Sequence, residues 1–341
     1  MVLLMAGLLV IFLLVLVLPF TVKAVEENLE IFLFVMGLLA AFASGVYNTG
    51  LFLKAAYDPI YISLAVLGAG LLFKWLQQPL ASQIFLLSRF IPFRIFAAAA
   101  VFTLGLISSV ITAIIAALIL VLLVEELGLD RRAQVRFVIL ACYSIGLGAS
   151  LTPIGETLST IAVSKLNEDF FYLFRLLGPE ILSALLLLGC LTFFLVHPPP
   201  RKKRPAAKGG SRSDYEEIFV RALKIYFFVM GLTFLGSGFE PLINTYLLEL
   251  NPLILYWINM VSAILDNATL AAAELSPAME DATIQAILLG LLISGGMLIP
   301  GNIPNIIAAN KLKITSKEWA AFGVPLGLVT MLLYYFIIVL M

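Results

Sequence analysis

Charged residues, cysteines and histidines are all scarce in this chain. Only 12% of its 341 residues are charged, and it contains two cysteines and one histidine. Zinc and haem sites need several such ligands, and a disulfide framework needs a set of paired cysteines. The formal net charge is zero, so no overall positive field attracts nucleic acid. We therefore expect no cofactor and no nucleic-acid partner.

Enzyme motifs are missing as well. The sequence contains neither H-E-x-x-H nor G-x-S-x-G, and its cysteines and histidine form no nucleophile pattern. An intramembrane aspartyl protease would need two acids in one site, and Glu156 with Asp266 could mimic such a pair, which is the weaker interpretation. We therefore predict that the protein is not an enzyme.

Apolar residues, in contrast, are abundant. They make up 62% of the chain, and the mean hydropathy is +1.08. A soluble domain is about half apolar and a quarter charged, so the composition predicts an all-α polytopic membrane protein. Because a spanning helix needs about 20 apolar residues, we expect about 10–12 membrane segments. The candidate runs are 2–22, 30–50, 59–76, 93–122, 134–154, 171–196, 217–238, 252–273, 283–300 and 319–341. The first run lacks the flanks of a signal peptide, so we expect it to be a retained helix.

A basic segment divides the chain into two parts. Residues 197–214, HPPPRKKRPAAKGGSRSD, include six Lys or Arg residues, and the positive-inside rule places such a linker in the cytoplasm. The flanking parts, 1–196 and 215–341, share three phrases in the same order. These are FVMGL (34–38 and 228–232), ISSVITAIIAA with VSAILDNATLA (107–117 and 261–271), and GETLSTIAVSKL with GNIPNIIAANKL (155–166 and 301–312).

We interpret the two parts as transmembrane repeats. Internal repeats in membrane proteins are typical of transporters, where they are often inverted and form a binding site at the midplane from interrupted helices. The first part carries about 40 extra residues, around 54–93, as the spacing of the shared phrases shows. The number of crossings in this insertion decides the relative orientation of the repeats. The sequence favours inverted repeats with re-entrant hairpins.

The third shared phrase places helix breakers and polar residues in apolar runs. Pro153 with Gly155, and Pro300 with Gly301, predict interrupted helices because proline removes a hydrogen bond and glycine permits unusual conformations. Interrupted backbone at membrane depth is tolerated only inside the protein or around a cavity. We therefore predict one site built from both copies, and the alternative is that the breakers only kink two packed helices. The candidate ligands are Thr152, Glu156, Ser159, Asn302 and Asn305.

Asp266 is an acid inside an apolar run. A charged carboxylate at the bilayer centre costs roughly 2.5–3.5 kcal/mol on insertion scales. Together with Asn267 and Thr269 it predicts a polar ion- or substrate-binding patch, whose counterpart in the first half is Thr112. The alternative is that Asp266 caps a re-entrant helix. Buried acids suit a cation, so Asp266 and Glu156 are candidate Na⁺ ligands that exchange Na⁺ for H⁺.

An opposing argument favours an anion. Helix N-termini at the interruptions present positive dipole ends and free N–H groups, which attract anions. The Asn302 and Asn305 phrase would then bind a dicarboxylate or oxyanion, and the acids would bind a coupling Na⁺ or H⁺. An ion channel is a further alternative, although repeats with interrupted helices favour alternating access.

The phrases GASLTPIGETLSTIA, SAILDNATLAAAELSP and GNIPNIIAANKL resemble the ion transporter superfamily. That group includes sodium/proton antiporters, arsenical pumps and dicarboxylate carriers, and the similarity points to a poorly characterised branch of cation transporters. Residues 150–155 resemble its Asn-Leu-Thr-x-Ile-Gly pattern with Ser150 in place of Asn. Asp266-Asn267 resembles the Asp-Asn pair of the antiporters, whereas Thr112-Ala113 departs from it.

The resemblance implies re-entrant hairpins, interrupted helices and often a homodimer. Combined with the buried acids, it predicts a secondary transporter of a small cation, with Na⁺/H⁺ antiport as the expected reaction. Na⁺- or H⁺-coupled transport of a small anion is the alternative. Short loops and the lack of a transit peptide favour the inner membrane of a prokaryote.

Overall fold

The computed structural model describes residues 2–57, 59–60, 63–64, 67–68, 71, 75, 91–166, 168–198, 215–246, 252–260, 267–275, 277 and 279–340. These residues contain helices and no strand, which confirms the predicted all-α class. Linker residues 199–214, most of the predicted insertion and Asp266 lie outside the described residues.

The helices are α1 (Val2–Thr21), α2 (Lys23–Glu27), α3 (Leu29–Ala43), α4 (Phe93–Ile111), α5 (Ala113–Leu127), α6 (Arg131–Ala149), α7 (Thr157–Leu166), α8 (Tyr172–Leu195), α9 (Tyr215–Tyr246), α10 (Pro252–Ile258), α11 (Asn267–Glu274), α12 (Asp281–Gly295), a 3₁₀ turn (Ile299–Gly301), α13 (Ile303–Leu312) and α14 (Ser316–Leu340).

Four segments of these helices are long and apolar enough to cross a membrane. They are Phe93–Ile111, Tyr172–Leu195, Ile218–Pro241 and Ser316–Phe336. This finding supports a multi-pass membrane protein. The predicted run 93–122 is not one span, because it contains both α4 and α5 and is interrupted at Thr112. The run 252–273 likewise contains both α10 and α11.

Helices α4 and α6 lie side by side and run in the same direction. The Ser144 hydroxyl, in the last third of α6, donates to the Val101 carbonyl at 2.7 Å. Farther along both segments, the Thr152 hydroxyl donates to the Ser109 carbonyl at 2.5 Å. The residue numbers rise together, so α5, which connects the two helices, must run back along α4. The chain therefore reverses at Thr112.

The second half contains a similar reversal. A Cβ atom on Gly290 would lie 2.8 Å from the Tyr256 carbonyl oxygen of α10. The Ser294 hydroxyl, one turn later in α12, donates to the Asn259 carbonyl at 2.8 Å. Helices α10 and α12 therefore run in the same direction, and α11 between them runs back. Helix α11 packs against α7, α9 and α12.

Helix α8 fixes the direction of the two halves relative to each other. It is antiparallel to α4, because Gly105 contacts Leu185 and Gly189 contacts Ala98. It is parallel to α12: the Tyr172 hydroxyl donates to Asp281 at 2.8 Å, and the Gln285 amide donates to the Leu176 carbonyl at 3.0 Å. Helix α12 consequently runs opposite to α4 and α6.

Helix α14 returns alongside α12 in the opposite direction. The Trp319 indole N–H donates to the Gly296 carbonyl at 3.1 Å, near the end of α12. The Tyr256 hydroxyl, which lies level with Gly290, donates to the Met331 carbonyl at 2.8 Å. Helix α14 is therefore parallel to α6, and the Arg131 guanidinium at the start of α6 binds Glu318 in the first turn of α14.

Helices α3 and α9 form a separate parallel pair. Lys224 forms an ion pair with Glu30, and Gly238 packs on Ala40 farther along both helices. Helix α6 lies at the centre of the other helices, and every residue from 137 to 151 is buried. The largest cluster of buried apolar side chains is built around it.

Candidate functional site

The tip of the α4–α5 hairpin contacts the interruption between α6 and α7. Thr112 forms the tip with φ 74° and ψ 148°, a conformation that side chains other than glycine rarely adopt. Its hydroxyl oxygen accepts a hydrogen bond from the Ile115 N–H at 3.5 Å and so caps α5. The N–H of Ala113 donates to the Gly155 carbonyl at 3.0 Å. The predicted residues Thr112, Thr152 and Gly155 thus lie together.

The first interruption covers residues 150–156 and includes Pro153 and Gly155. Helix α6 ends at Ala149 and α7 begins at Thr157. Gly155 packs so closely on the Ala149 carbonyl that a Cβ atom would collide with it. The hydroxyl of Ser159 donates to the Ser150 carbonyl at 3.1 Å, which satisfies an acceptor that the helix end leaves open.

The second interruption covers residues 296–302 and includes Pro300 and Gly301 in the 3₁₀ turn. Asn305, on the first turn of α13, is fully buried. Its amide Nδ2 donates to the carbonyls of Gly295 at 2.9 Å and Leu298 at 3.0 Å. Its Oδ1 atom is buried and has no hydrogen-bond partner within the described part of the chain. Asn305 therefore holds the turn together and still presents one open acceptor.

Asn267 brings a second open acceptor to the same turn. It is the first residue of α11, it is 7% exposed, and its side chain packs on Gly295. A Cβ atom on Gly295 would lie 2.5 Å from the Asn267 Nδ2 atom and 3.0 Å from the Gly301 carbonyl oxygen. The Oδ1 atom of Asn267 is buried without a hydrogen-bond partner among the described residues. Gly295 is thus contacted by two buried amide side chains, each with an oxygen that has no partner among the described residues.

Helix α6 joins the two interruptions. A Cβ atom on Gly146 would lie 2.5 Å from the Asn302 Nδ2 atom, so the predicted residue Asn302 packs directly on α6. One turn earlier, the Cys142 thiol contacts the Pro304 carbonyl at 3.7 Å. The Tyr143 ring fills the space beside Gly296. Gly146 and Gly296 thus belong to the site although they have no polar side chain. A search of the sequence for polar ligands therefore misses them.

Four helices begin at the interrupted segments: α5, α7, α11 and α13. Helix α5 packs on α13 through Ala117, Leu118 and Ile307, close to the start of both helices. The other two of these helices, α7 and α11, pack on each other. Positive dipole ends therefore point toward the interior from these helices, and the ends of α4, α6 and α12 bring carbonyl groups to the same region.

The remaining predicted residues are only partly placed. Asp266 lies outside the described residues, and α11 begins at the residue that follows it. Thr269 lies on α11, but its side chain is outside the described part. Glu156 directly precedes α7 and is half-buried, and its backbone carbonyl accepts a hydrogen bond from the Thr160 hydroxyl. The pairing of Asp266 and Glu156 as Na⁺ ligands stays a prediction.

Acidic and sulfur ligands do not cluster in the described structure. No group of three or more His, Cys, Asp or Glu side chains is close enough to hold a metal ion there. The interruptions bring amide, hydroxyl and carbonyl oxygens together, and Glu156 adds a carboxylate at the end of the first one. Oxygen ligands of this kind, at the ends of interrupted helices, suit Na⁺.

Sequence comparison supports membership of one family over nearly the whole chain. No curated protein matches the sequence. The sequence model of a family described as a protein of unknown function (DUF1646) matches residues 5–341. Since this match covers both halves and all the interrupted helices, the chain belongs to the DUF1646 family.

Proposed function

We propose that the protein is a secondary active transporter that binds a small cation, Na⁺, between its interrupted helices and exchanges it for H⁺. One observation carries this proposal: the buried side chains of Asn267 and Asn305 meet at Gly295, and each has an oxygen without a hydrogen-bond partner among the described residues. A buried acceptor without a partner costs roughly 1–3 kcal/mol, so these oxygens favour a ligand that is a cation or a donor. Na⁺ at this place would satisfy both.

The helix directions support alternating access by inverted repeats. In this proposal residues 93–195 and 252–340 each supply a re-entrant hairpin, an interrupted helix and a long return helix. The equivalent helices α6 and α12 run in opposite directions, and so do α8 and α14, as a two-fold axis in the membrane plane requires. The parallel pair α3 and α9 cannot obey that axis. We therefore exclude the FVMGL phrases from the repeat. We attribute the opposite directions of the two repeats to the insertion, which precedes α4.

The distribution of basic residues between the two ends of the helices supports the expected orientation of the protein in the membrane. The linker follows α8, whose end lies with the starts of α4, α6 and α14 by the helix directions given above. Arg94, Arg131, Arg132, Lys313 and Lys317 all lie at this end. The opposite end carries few basic residues, such as Lys54 and Arg175. By the positive-inside rule the linker faces the cytoplasm of the proposed prokaryotic inner membrane.

Proton movement in proteoliposomes tests the exchange. Vesicles with an imposed pH gradient would receive Na⁺, Li⁺ and K⁺ in turn. We expect Na⁺ or Li⁺ to dissipate the gradient with wild-type protein, and Asp266→Asn and Asn267→Ala to reduce the rate at least tenfold. Asn28→Ala, which removes an exposed amide at the start of α3, is the matched control and should behave as wild type. The proposed Na⁺/H⁺ exchange is wrong if the folded protein moves no protons in response to any of these cations.

Na⁺- or H⁺-coupled transport of a small anion is a second candidate, and one cavity favours it. A cavity of about 430 Å³ lies between α3, α9 and the α13–α14 connection, and Lys23, Lys224 and Lys313 line it. It extends to Ile299 in the second interruption. The volume is in the range of small-molecule sites, and the lysines outnumber the single acid, Glu30, that also lines it.

A direct comparison separates the two candidates. In the antiporter, Na⁺ moves protons without any added anion. In the anion transporter, Na⁺ or H⁺ would drive uptake of a labelled dicarboxylate or oxyanion. Lys313→Asn, which suits the left-handed backbone at this position (φ 51°), would then lower the anion affinity without altering cation-driven proton movement.

A further inference from the structure

Glu274 is a buried acid that the sequence analysis left without a role. It is the last residue of α11 and is only 1% exposed. Its Oε2 atom accepts a hydrogen bond from the Asn259 amide at 2.9 Å. Its Oε1 atom is buried and has no hydrogen-bond partner in the parts of the chain described. Among the described residues, the carboxyl group is thus held in place by a single neutral donor.

The described side chains around Glu274 offer little compensation for a negative charge. The packed helices α7, α9 and α12 carry Lys165, Glu240 and Asp281, respectively, toward this end of the molecule, and the side chain of Lys165 lies outside the described part. The side chains of Glu240 and Asp281 are exposed, and Asp281 is bound by the Tyr172 hydroxyl. A buried carboxylate in this position gains free energy by taking up a proton.

Glu274 is also connected to the proposed cation site. It follows Asn267 by seven residues on the same helix, so both lie on one face about 10 Å apart. Its partner Asn259 lies in the other arm of the reversal and accepts a hydrogen bond from Ser294 at 2.8 Å. Ser294 directly precedes Gly295, which both site amides contact. A change of charge on Glu274 therefore affects the proposed cation site through both arms of the reversal, α11 directly and α10 through Asn259.

We propose that Glu274 binds the proton that is exchanged for the cation. This inference rests on the proposed function. The ionised carboxylate attracts a cation at Asn267 and Asn305, and protonation of the carboxylate removes that attraction. The proton comes from water on the side where the cation is released and returns to water when the next cation binds on the opposite side. No bond other than the O–H bond forms or breaks.

The expected effect can be estimated from the charge separation. Two charges about 10 Å apart in a medium with an effective dielectric constant of about 20 change an affinity by about 15-fold. We therefore expect Na⁺ to bind the wild-type protein about 15-fold more weakly at low pH than at high pH. In Glu274→Gln, which keeps the shape and an acceptor for Asn259, binding should be weak at every pH.

Na⁺ binding to the purified full-length protein, measured as a function of pH with radioactive Na⁺, tests the inference. Glu280→Gln is the matched control, because Glu280 is an exposed acid at the same end whose side chain caps no helix. It should keep the wild-type pH dependence. If Glu274→Gln keeps that dependence as well, the inference is overturned. If the wild-type protein binds no Na⁺ at any pH, the proposed function fails first, and this outcome is distinct.

A measurement on the unmodified protein covers the case in which Glu274→Gln does not fold. Dicyclohexylcarbodiimide reacts with protonated carboxyl groups in apolar surroundings, and mass spectrometry locates the modified residue. We expect labelling of Glu274 that increases at low pH and decreases in the presence of Na⁺. Absence of labelling at Glu274, or labelling that ignores both pH and Na⁺, would overturn the proposal.

Discussion

Gly37 of α3 and Gly231 of α9 pack directly against each other. A Cβ atom on Gly37 would collide with the Gly231 carbonyl oxygen. A Cβ atom on Gly231 would lie 2.6 Å from the backbone nitrogen of Phe34. Each glycine is the fourth residue of an FVMGL phrase, so the repeated sequence here marks a contact between two parallel helices. Small residues of this kind allow membrane helices to approach closely.

Alanine at either glycine should separate the two helices. Gly231→Ala meets backbone atoms, which cannot rotate away as a side chain can. We expect a loss of about 1–3 kcal/mol in the free energy of unfolding, as in other overpacked contacts. Thermal unfolding in detergent measures the effect. Gly178→Ala on α8 is the control, because a Cβ atom there meets nothing within 4 Å. Equal stability of Gly231→Ala and Gly178→Ala would show that the contact is looser than described.

The interrupted helices were largely predictable from the sequence. Pro153, Gly155, Pro300 and Gly301 act on the backbone locally, so their effect does not depend on distant parts of the chain. Thr112 was harder, since the run 93–122 contains no proline and its one glycine lies seven residues earlier. Only the alignment with Asp266 indicated a special position.

Helix directions were not predictable, because they depend on the number of crossings between residues 54 and 93. The shared FVMGL phrases suggested that α3 and α9 are equivalent in the repeat, whereas the structure shows them packed in parallel. The role of Asn305 was also hidden. Its amide donates to the carbonyls of Gly295 and Leu298. These carbonyls have no partner within the helix because the helix ends there.

Thr112 stores strain at the tip of the first hairpin. Its positive φ disfavours a β-branched residue, and such a conformation costs about 1–3 kcal/mol. Thr112→Gly should therefore preserve or raise stability, since glycine as a helix cap costs only a few tenths of a kcal/mol relative to threonine. Thr112→Val keeps the strain and loses the cap to Ile115, so it should destabilise the protein by about 1 kcal/mol. Chemical denaturation of both variants checks this order, and the reverse order would rule out strain at the tip.

Ser159 and Asn305 occupy the same position in the two copies of the third phrase, and both donate to carbonyls of the preceding helix end. Ser159 satisfies one carbonyl and Asn305 satisfies two. At about 1 kcal/mol per hydrogen bond, Ser159→Ala should lower the free energy of unfolding by about 1 kcal/mol and Asn305→Ala by about 2 kcal/mol. Only Asn305→Ala should also weaken Na⁺ binding. Equal losses of stability, or equal effects on binding, would contradict this division of roles.

Gly146 and Asn302 connect the two halves at the centre of the molecule, and their coupling can be measured. A Cβ atom at Gly146 would lie 2.5 Å from the Asn302 Nδ2 atom, the far end of a side chain that is able to move. Gly146→Ala should therefore fold normally but displace Asn302, and we expect Na⁺-dependent proton movement to fall about tenfold, equivalent to about 1.4 kcal/mol. In an Asn302→Ala background the added methyl group has nothing to displace. A double-mutant cycle should then show that Gly146→Ala has little further effect, with a coupling of about 1 kcal/mol. Additive losses in the double variant would mean that Gly146 acts on transport without Asn302, through the packing of α6 alone.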